Sequence, residues 1–415
     1  ICRKCSTAGA RDSSKDQKLK PSGPESTMTH LRKIIPGGMD ATEFLQTYWQ
    51  KQPCLIKQAN KHYQSFVAKQ DLIDLSYEDN VESRLVLENS GEYPWQVTHG
   101  PFCKDDFDAL PDSHWSLLLQ NTEFHIAAAA RFLDQFKFIP NWRIDDLMVS
   151  FATKQGSVGP HIDNYDVFLF QAVGKRQWSI NLNDYSEDDF IEGLDLRIIK
   201  QFEAEQEWIL EPGDMLYLPP GIAHHGIALE ESITFSIGFR APSSSELLGQ
   251  YLEDMVESSA PVYYQDQKLS LRDHCGEISS EEGAGIAALF QSALPDDESL
   301  RDWFGQFVTR LPENFVLETP QKILNEDDFY IKYQSFKRIN KSNITRSAFI
   351  HVDEGFTLFV NGESYPMASE YEGFIYSLTE QSCFENPLLK ESRPDSNFIR
   401  VLCRLYNDGI LYFDA

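Results

Sequence analysis

No stretch of this sequence approaches the ~18 consecutive apolar residues of a membrane helix. The longest helical apolar patch, from Ile126 to Ala130, is far too short, so no spanning segment is expected. Basic residues are scarce: 37 Lys and Arg stand against 64 Asp and Glu, a formal net charge of −27. Phosphates would be repelled over most of such a surface, which argues against nucleic acid and anionic membranes and favours solubility and basic partners. Cysteine is sparse. Its 7 copies are scattered and odd in number, no disulfide framework is legible, and a reducing cytoplasm is the expected compartment. Cys2-x-x-Cys5 has no second pair behind it, which leaves a zinc site unsupported. G-x-S-x-G, Walker and G-x-G-x-x-G motifs are absent, so serine hydrolase, NTPase and Rossmann chemistries have no motif behind them.

What is present is a chain of 415 residues, long enough for roughly two to three domains and a sizeable core. Residues 1–27 are Ser/Lys/Gly-rich, carry a net charge of +3 and lack hydrophobic period; they read as a disordered leader or expression remnant ahead of Met28. Asp40 followed by Glu43 is a capping pattern that opens a short helix, and Lys69–Tyr77 and Asn121–Phe136 read as further helices. Between 147 and 240 the period changes to two. Strands are predicted at Leu147–Thr153, Val167–Val173, Gln177–Leu182, Trp208–Leu210, Met215–Leu218 and Ile233–Arg240, separated by glycine turns. Many short strands at close spacing imply a mainly β sandwich or barrel.

After Arg240 helical periods return around Leu248–Val256, Ile286–Phe290 and Leu300–Leu311; the third is rich in large aromatics, which suits a helix–helix or subunit interface. Beyond about 312, Phe349–Val352 and Phe356–Val360 flank an Asp353-Glu354-Gly355 turn, a hairpin signal. Helical stretches near 370–381 and 395–406 and a strand at Ile410–Phe413 complete a small α+β, winged-helix-like module. Residues 311–415 hold 10 basic and 16 acidic side chains, so direct DNA binding is not expected of it.

The chemistry centres on His161-Ile162-Asp163, where a Gly/Pro turn enters a strand, and on His224 just past Pro220-Gly221. Two imidazoles and one carboxylate can cap one face of an octahedral Fe(II) and leave adjacent positions open. In a strand, residues i and i+2 share a face, so His161 and Asp163 point the same way. The tripeptide alone is weak evidence, since this composition supplies about one or two H-x-[DE] pairs by chance; the second H-x-D, His351-Val352-Asp353, lies in the hairpin with no later histidine and reads as a solvated strand end. Arg176 shares its parity with Trp178 and Ile180 and should point inward, where a cation needs an anionic partner. A dicarboxylate co-substrate would supply one in a two-pronged grip; a protein carboxylate is the bland alternative. Among the other histidines, His99, His114 and His125 read as structural.

The surrounding motifs carry a resemblance. Asp146-Leu147-Met148-Val149-Ser150-Phe151, Gly159-Pro160-His161-Ile162-Asp163-Asn164-Tyr165-Asp166-Val167-Phe168, Gly174-Lys175-Arg176-Gln177-Trp178, Glu211-Pro212-Gly213-Asp214 and Pro220-Gly221-Ile222-Ala223-His224 resemble the JmjC-type ribosomal oxygenases. Within them the likeness is to the bacterial branch that hydroxylates an arginine of a large-subunit ribosomal protein, the L sixteen protein. Tyr48-Trp49-Gln50-Lys51-Gln52-Pro53 and Gln96-Val97-Thr98-His99-Gly100-Pro101-Phe102 also look like that family. Close likeness runs from about 40 to 242, and the later segments match in order and character.

The resemblance implies a double-stranded β-helix of the JmjC/cupin type, Fe(II), and 2-oxoglutarate and O2 as co-substrates, with succinate and CO2 released. It puts the metal ligands on His161, Asp163 and His224 and the 2-oxoglutarate-binding residue on Arg176. His225 is the rival of His224, because strand parity alone does not decide between adjacent residues; the family motif carries an acidic side chain at the 225 position, from which this sequence departs. Asn164, Tyr165 and Asp166 are candidates to meet the substrate, Tyr165 by its inward parity, although Asp166 could instead support the strand turn. The expected organisation is a leader over 1–27, the catalytic domain over 28–242, a helical dimerisation segment over 243–311 that makes a homodimer, and the winged-helix-like domain over 312–415. Ten acids between Asp184 and Glu211 face only Arg197 and Lys200: a solvated insertion, or an electrostatic funnel for a basic ribosomal protein. The alternatives to arginine hydroxylation are a ribosomal histidyl hydroxylase, an N-methyl-lysine demethylase, and a non-catalytic metal-binding scaffold of the same fold.

Overall fold

The computed structural model describes residues 34–88, 95–194, 196–258, 260–266, 269–271, 273–312, 315–389 and 393–413. The expected leader and Cys2-x-x-Cys5 lie outside these residues. Twelve strands build the first part of the chain: β1 (Cys54–Ile56), β2 (Ser83–Glu88), β3 (Trp95–His99), β4 (Trp115–Leu119), β5 (Ile144–Ala152), β6 (His161–Ile162), β7 (Asp166–Val173), β8 (Arg176–Asn181), β9 (Gln206–Leu210), β10 (Met215–Leu218), β11 (Ala223–Ala228) and β12 (Ser232–Phe239). They form an eight-stranded sheet in the order β1-β10-β7-β12-β5-β4-β2-β3 and a four-stranded sheet in the order β6-β11-β8-β9. Every pairing in both sheets is antiparallel. This is the double-stranded β-helix, with the larger sheet extended by β1–β4, strands that the period-two reading did not single out.

The alternation along β7 shows how the two layers are held. Val167 and Leu169 face the small sheet and pack with Trp178, Ile180, Leu216 and Leu218. Phe168 and Phe170 point the other way, into a core closed by helices. A strand covered on both faces reads as a near-continuous apolar run, which is the character of 167–173. The outer core is aromatic. Phe44, Phe136 and Tyr217 surround Phe168 with ring centroids 5.4, 5.2 and 4.9 Å away. Each such ring contributes about 1.5–3 kcal/mol by burial, and each pair about 0.5–1.5 kcal/mol beyond it.

The helices that close this core start where capping chemistry says they should. Asp40 accepts from the Thr42 and Glu43 amides at 2.9 and 3.1 Å and opens helix Ala41–Thr47. The stretch expected as one helix over 121–136 is instead broken into Thr122–His125 and Ala127–Leu133 by an extended Ile126. The first turn is tied sideways to β5: the Thr122 hydroxyl donates to the Leu147 carbonyl at 2.6 Å, and the Glu123 carboxyl accepts the Leu147 amide at 3.0 Å.

Helices Ser244–Ser258, Ser280–Ala293 and Asp297–Thr309 follow β12. A second core gathers residues from Leu324 to Leu411 around helices Glu326–Tyr333, Glu372–Glu380 and Ser396–Asn407. Its strands are β13 (Arg338–Lys341), β14 (Ser347–Val352), β15 (Gly355–Val360), β16 (Glu363–Ala368), β17 (Cys383–Glu385) and β18 (Leu411–Tyr412). The expected hairpin is β14–β15, closing with Val352 opposite Gly355. Helix Asp297–Thr309 lies between the two cores. Phe304 meets Trp142 edge-on at 5.3 Å, while a Cβ on Gly305 would fall 2.3 Å from the Phe359 ring, so only glycine admits that approach. Among the described residues, no helix is long and apolar enough to cross a membrane.

Candidate active site

The small sheet places the predicted ligand set. His161 of β6 lies directly opposite His224 of β11, and their rings are 4.2 Å apart between centroids. Asp163 follows two residues on; its carbonyl accepts from the Gly221 amide at 2.8 Å, which holds the end of β6 to the turn before His224. The Asp163 carboxylate lies 3.9 Å from His161 Nε2 and 3.6 Å from His224 Nε2, and one ligand atom from each of the three residues falls within 4.8 Å of the others.

The tautomers follow from the backbone. His161 Nδ1 donates to the Gly159 carbonyl and His224 Nδ1 to the Ile222 carbonyl, both at 2.9 Å. A carbonyl only accepts, so each Nε2 keeps its lone pair for the site. Burial, reinforced by His161, pulls the His224 pKa down to about 4, leaving the neutral imidazole that a metal requires. Two imidazoles and a carboxylate suit ferrous iron. His225 points elsewhere: its Nε2 lies 3.0 Å from the Ser157 hydroxyl and its ring meets Phe202 edge-on.

Arg176, the first residue of β8, is 2% exposed. One guanidinium nitrogen donates to the Ser150 and Thr234 hydroxyls at 3.3 and 3.4 Å and the other to the Gly226 carbonyl at 3.3 Å. Its Nε has no acceptor, and no carboxylate pairs with it among the described residues. Burial lowers its pKa to about 10, so the group remains a cation at neutral pH. An enclosed cation without a counter-charge is costly unless a ligand brings one, and a carboxylate matches the guanidinium fork. Trp178 lies 5.0 Å beneath the guanidinium, and Gly226 makes the room: a Cβ there would fall 2.7 Å from the Trp178 ring and 2.9 Å from Arg176 Nε.

These groups line one pocket of about 310 Å³ between the sheets. Its far wall carries Asp146, Met148 and Ser150 of β5, while Leu147, Val149 and Phe151 point into the core. Asp146 carries no role in the sequence beyond its place in a motif; the alternation along 146–151 is the signal that points it inward. Burial and the neighbouring Asp145 raise the Asp146 pKa to about 7, and Arg84 on the same pocket opposes the rise.

The three residues after the ligands separate. Tyr165, 41% exposed, lines the pocket, and burial of its hydroxyl together with the Asp163 charge raises its pKa. Asn164 lies outside, on an adjoining groove with Arg240 and Arg310. Asp166 is not a substrate contact. It is fully buried and accepts from Arg143 at 3.1 Å, Gln50 Nε2 at 3.0 Å and the Tyr217 hydroxyl at 2.6 Å, so its charge is already spent on the strand's support.

The acidic insertion is anchored. Phe190 bridges to Ile199, Ile198 is buried against Val86, Trp95 and Leu118, and Leu196 and Arg197 reach the pocket wall. Arg197 stacks on Phe190 and pairs with Glu187 at 2.9 Å. Among the described residues, the carboxylates from Asp184 to Glu211 are all exposed, and Glu211 pairs with Lys175 at 2.6 Å.

Comparison with known proteins places this geometry in context. Residues 131–247 match the family model described as a JmjC domain. The chain is 30% identical to the ribosomal protein uL16 3-hydroxylase of Escherichia coli K12 over 90% of its own length and 97% of that protein's. It is 33% identical to a probable ribosomal oxygenase of Haemophilus influenzae, covering 68% of this chain and 71% of that one. The solved structure of YcfD, a ribosomal oxygenase from Escherichia coli in complex with cobalt and 2-oxoglutarate, superposes with a TM-score of 0.77 at 29% identity, covering 91% of this chain and 99% of that one.

Proposed function

The chain belongs to the JmjC-domain ribosomal oxygenases, and from that membership we propose that it is an Fe(II)- and 2-oxoglutarate-dependent dioxygenase that hydroxylates C3 of an arginine side chain in ribosomal protein uL16. His161, Asp163 and His224 hold the iron. Arg176 takes the distal carboxylate of 2-oxoglutarate. Iron with 2-oxoglutarate and O2 supplies the power to oxidise an unactivated C–H bond, with succinate and CO2 released. The protein's own share is placement. Backbone carbonyls orient both imidazoles, Ser150, Thr234 and Gly226 orient Arg176, and the apolar wall of Met148, Val167 and Leu169 keeps water from the reacting carbon.

The observation that carries this reading is Arg176, an enclosed guanidinium with an open donor next to a two-histidine, one-carboxylate cluster. A scaffold has no need of such a co-substrate anchor. Asp146 supports the arginine substrate: a carboxylate in the same pocket as the apolar side chains of Met148, Val167 and Leu169 suits a long aliphatic stem ending in guanidinium. The anchored acidic insertion favours a basic partner. The catalytic domain spans 28–242, the helical segment 243–311 forms a homodimer, and 312–415 is a winged-helix-like module; the compartment is the cytoplasm.

Intact-mass spectrometry of ribosomal proteins incubated with enzyme, Fe(II), 2-oxoglutarate and O2 tests the reading. The expected result is a gain of one oxygen atom on uL16, mapped to arginine and absent with His161→Ala. Arg176→Met should weaken 2-oxoglutarate binding by about 2 kcal/mol or more, ~30-fold. Consumption of 2-oxoglutarate with no mass gain on any ribosomal protein would keep the oxygenase and reject the substrate.

A further inference from the structure

A second cavity, of about 410 Å³, is lined by residues of both the catalytic core and the second core, Glu123 among them. Its walls carry Arg131 and Lys137 from the first part of the chain and Lys341, Thr345 and Arg346 from the second. In a chain of net charge −27, a cavity with four cations in its walls is out of character. Part of that charge is matched. Lys137 pairs with Asp134 at 2.5 Å, and Arg346 reaches Asp145 at 3.8 Å. Glu123 also lines the cavity, but burial and the nearby Asp146 push its pKa well up, so it offers little counter-charge.

Part of the cationic chemistry closes a helix. The last carbonyls of helix Glu372–Glu380 point at this joint and are met one by one: Leu378 by Lys341 Nζ at 2.6 Å, Thr379 by Asn141 Nδ2 at 2.6 Å, and Glu380 by Lys137 Nζ at 2.5 Å. An ammonium has three donors and Lys341 spends one here. Neither Lys341 nor Arg131 has a carboxylate partner among the described residues. Burial, with Lys137 close by, brings the Lys341 pKa down to about 7 against the pull of the Asp134 charge. Thr345 is 8% exposed, and its hydroxyl has no hydrogen-bond partner.

We propose that this cavity is a binding site for a small free oxyanion, held by Lys341, Arg131 and the Thr345 hydroxyl, which bridges the catalytic core to the 312–415 module. A phosphate or short carboxylate brings Lys341 the counter-charge that no ion pair supplies and has acceptors for the hydroxyl, with the exposed Arg131 adding its charge from the same cavity. Because the two cations come from different parts of the chain, a bound anion joins them.

Isothermal titration of the full chain with inorganic phosphate at low ionic strength, with acetate in a parallel arm, tests the site. The expected result is saturable binding of one of these anions and a rise in melting temperature with its concentration. Binding is lost in Lys341→Met, falls about tenfold in Arg131→Gln, and persists in Lys341→Arg. It also persists in Arg176→Met, which separates this cavity from the co-substrate pocket and makes the result independent of the oxygenase reading. Arg131 is exposed, so its replacement leaves the fold intact and keeps the test open if Lys341→Met does not fold. No saturable binding of either anion, or binding that disappears in Arg176→Met and survives in Lys341→Met, overturns the proposal.

Discussion

Asp146 is a pocket-lining carboxyl, and on the proposed reading it meets the substrate guanidinium only when ionised. Its pKa near 7 means that ionisation is completed only as the pH rises through neutrality, so KM for an arginine substrate should fall across that window. Asp146→Asn should raise KM for the protein substrate by about 10- to 100-fold, the worth of one charge-assisted hydrogen bond, and flatten the pH profile, while 2-oxoglutarate binding stays unchanged. Stability moves the opposite way. The folded carboxyl binds its proton more tightly than the unfolded one, so stability is lost as pH rises from about 4 to 7, and the asparagine variant should lose less. Melting curves at several pH values check this. A second position acts by space: Gly226→Ala would push a methyl into Trp178 and Arg176, and KM for 2-oxoglutarate should rise about tenfold with the metal ligands untouched.

Among the elements, the acidic insertion offers the sharpest test. Sequence left two readings open, and its anchoring through Ile198 and Leu196 to the pocket wall makes it part of the site's mouth. Replacing Glu187, Asp188 and Asp189 with their amides should slow association with a basic substrate severalfold at low salt, with the difference fading as salt rises and turnover at saturation unchanged. Strands buried on alternate faces were legible because their period is two: β5, β7, β8, β10 and β12 all lie within a few residues of their expected places. β1–β4 were not, since short segments such as Cys54–Ile56 hold too few residues to show a period. The broken helix at Ile126 escaped for a different reason: its first turn is tied by a pair of hydrogen bonds to Leu147, a residue remote in sequence.

For the whole molecule, the helices between the two cores leave apolar side chains unburied. Leu248 is 58% exposed, Val256 74% and Phe290 72%, too much apolar surface on neighbouring helices to leave in water. Replacing Leu248 and Phe290 with Asp should turn a dimer into a monomer in light scattering at micromolar concentration; a monomeric parent chain would sink the dimer outright.

Local pattern carried the β-sheet catalytic core, the order of helices and hairpin, and the pairing of His161 with Asp163, because alternation and capping act over a few residues. The third member of the proposed metal site rested on resemblance, for adjacent His224 and His225 differ only in which face of β11 they occupy. Register across β6 and β11 separates them, setting His224 opposite His161 and sending His225 to Ser157. The fate of Asp166 was equally beyond reach, since its partners Gln50, Arg143 and Tyr217 come from distant parts of the chain. So was the cation-lined joint between the cores. Which charges are answered and which are left over depends on long-range packing, and sequence spacing carries no record of it.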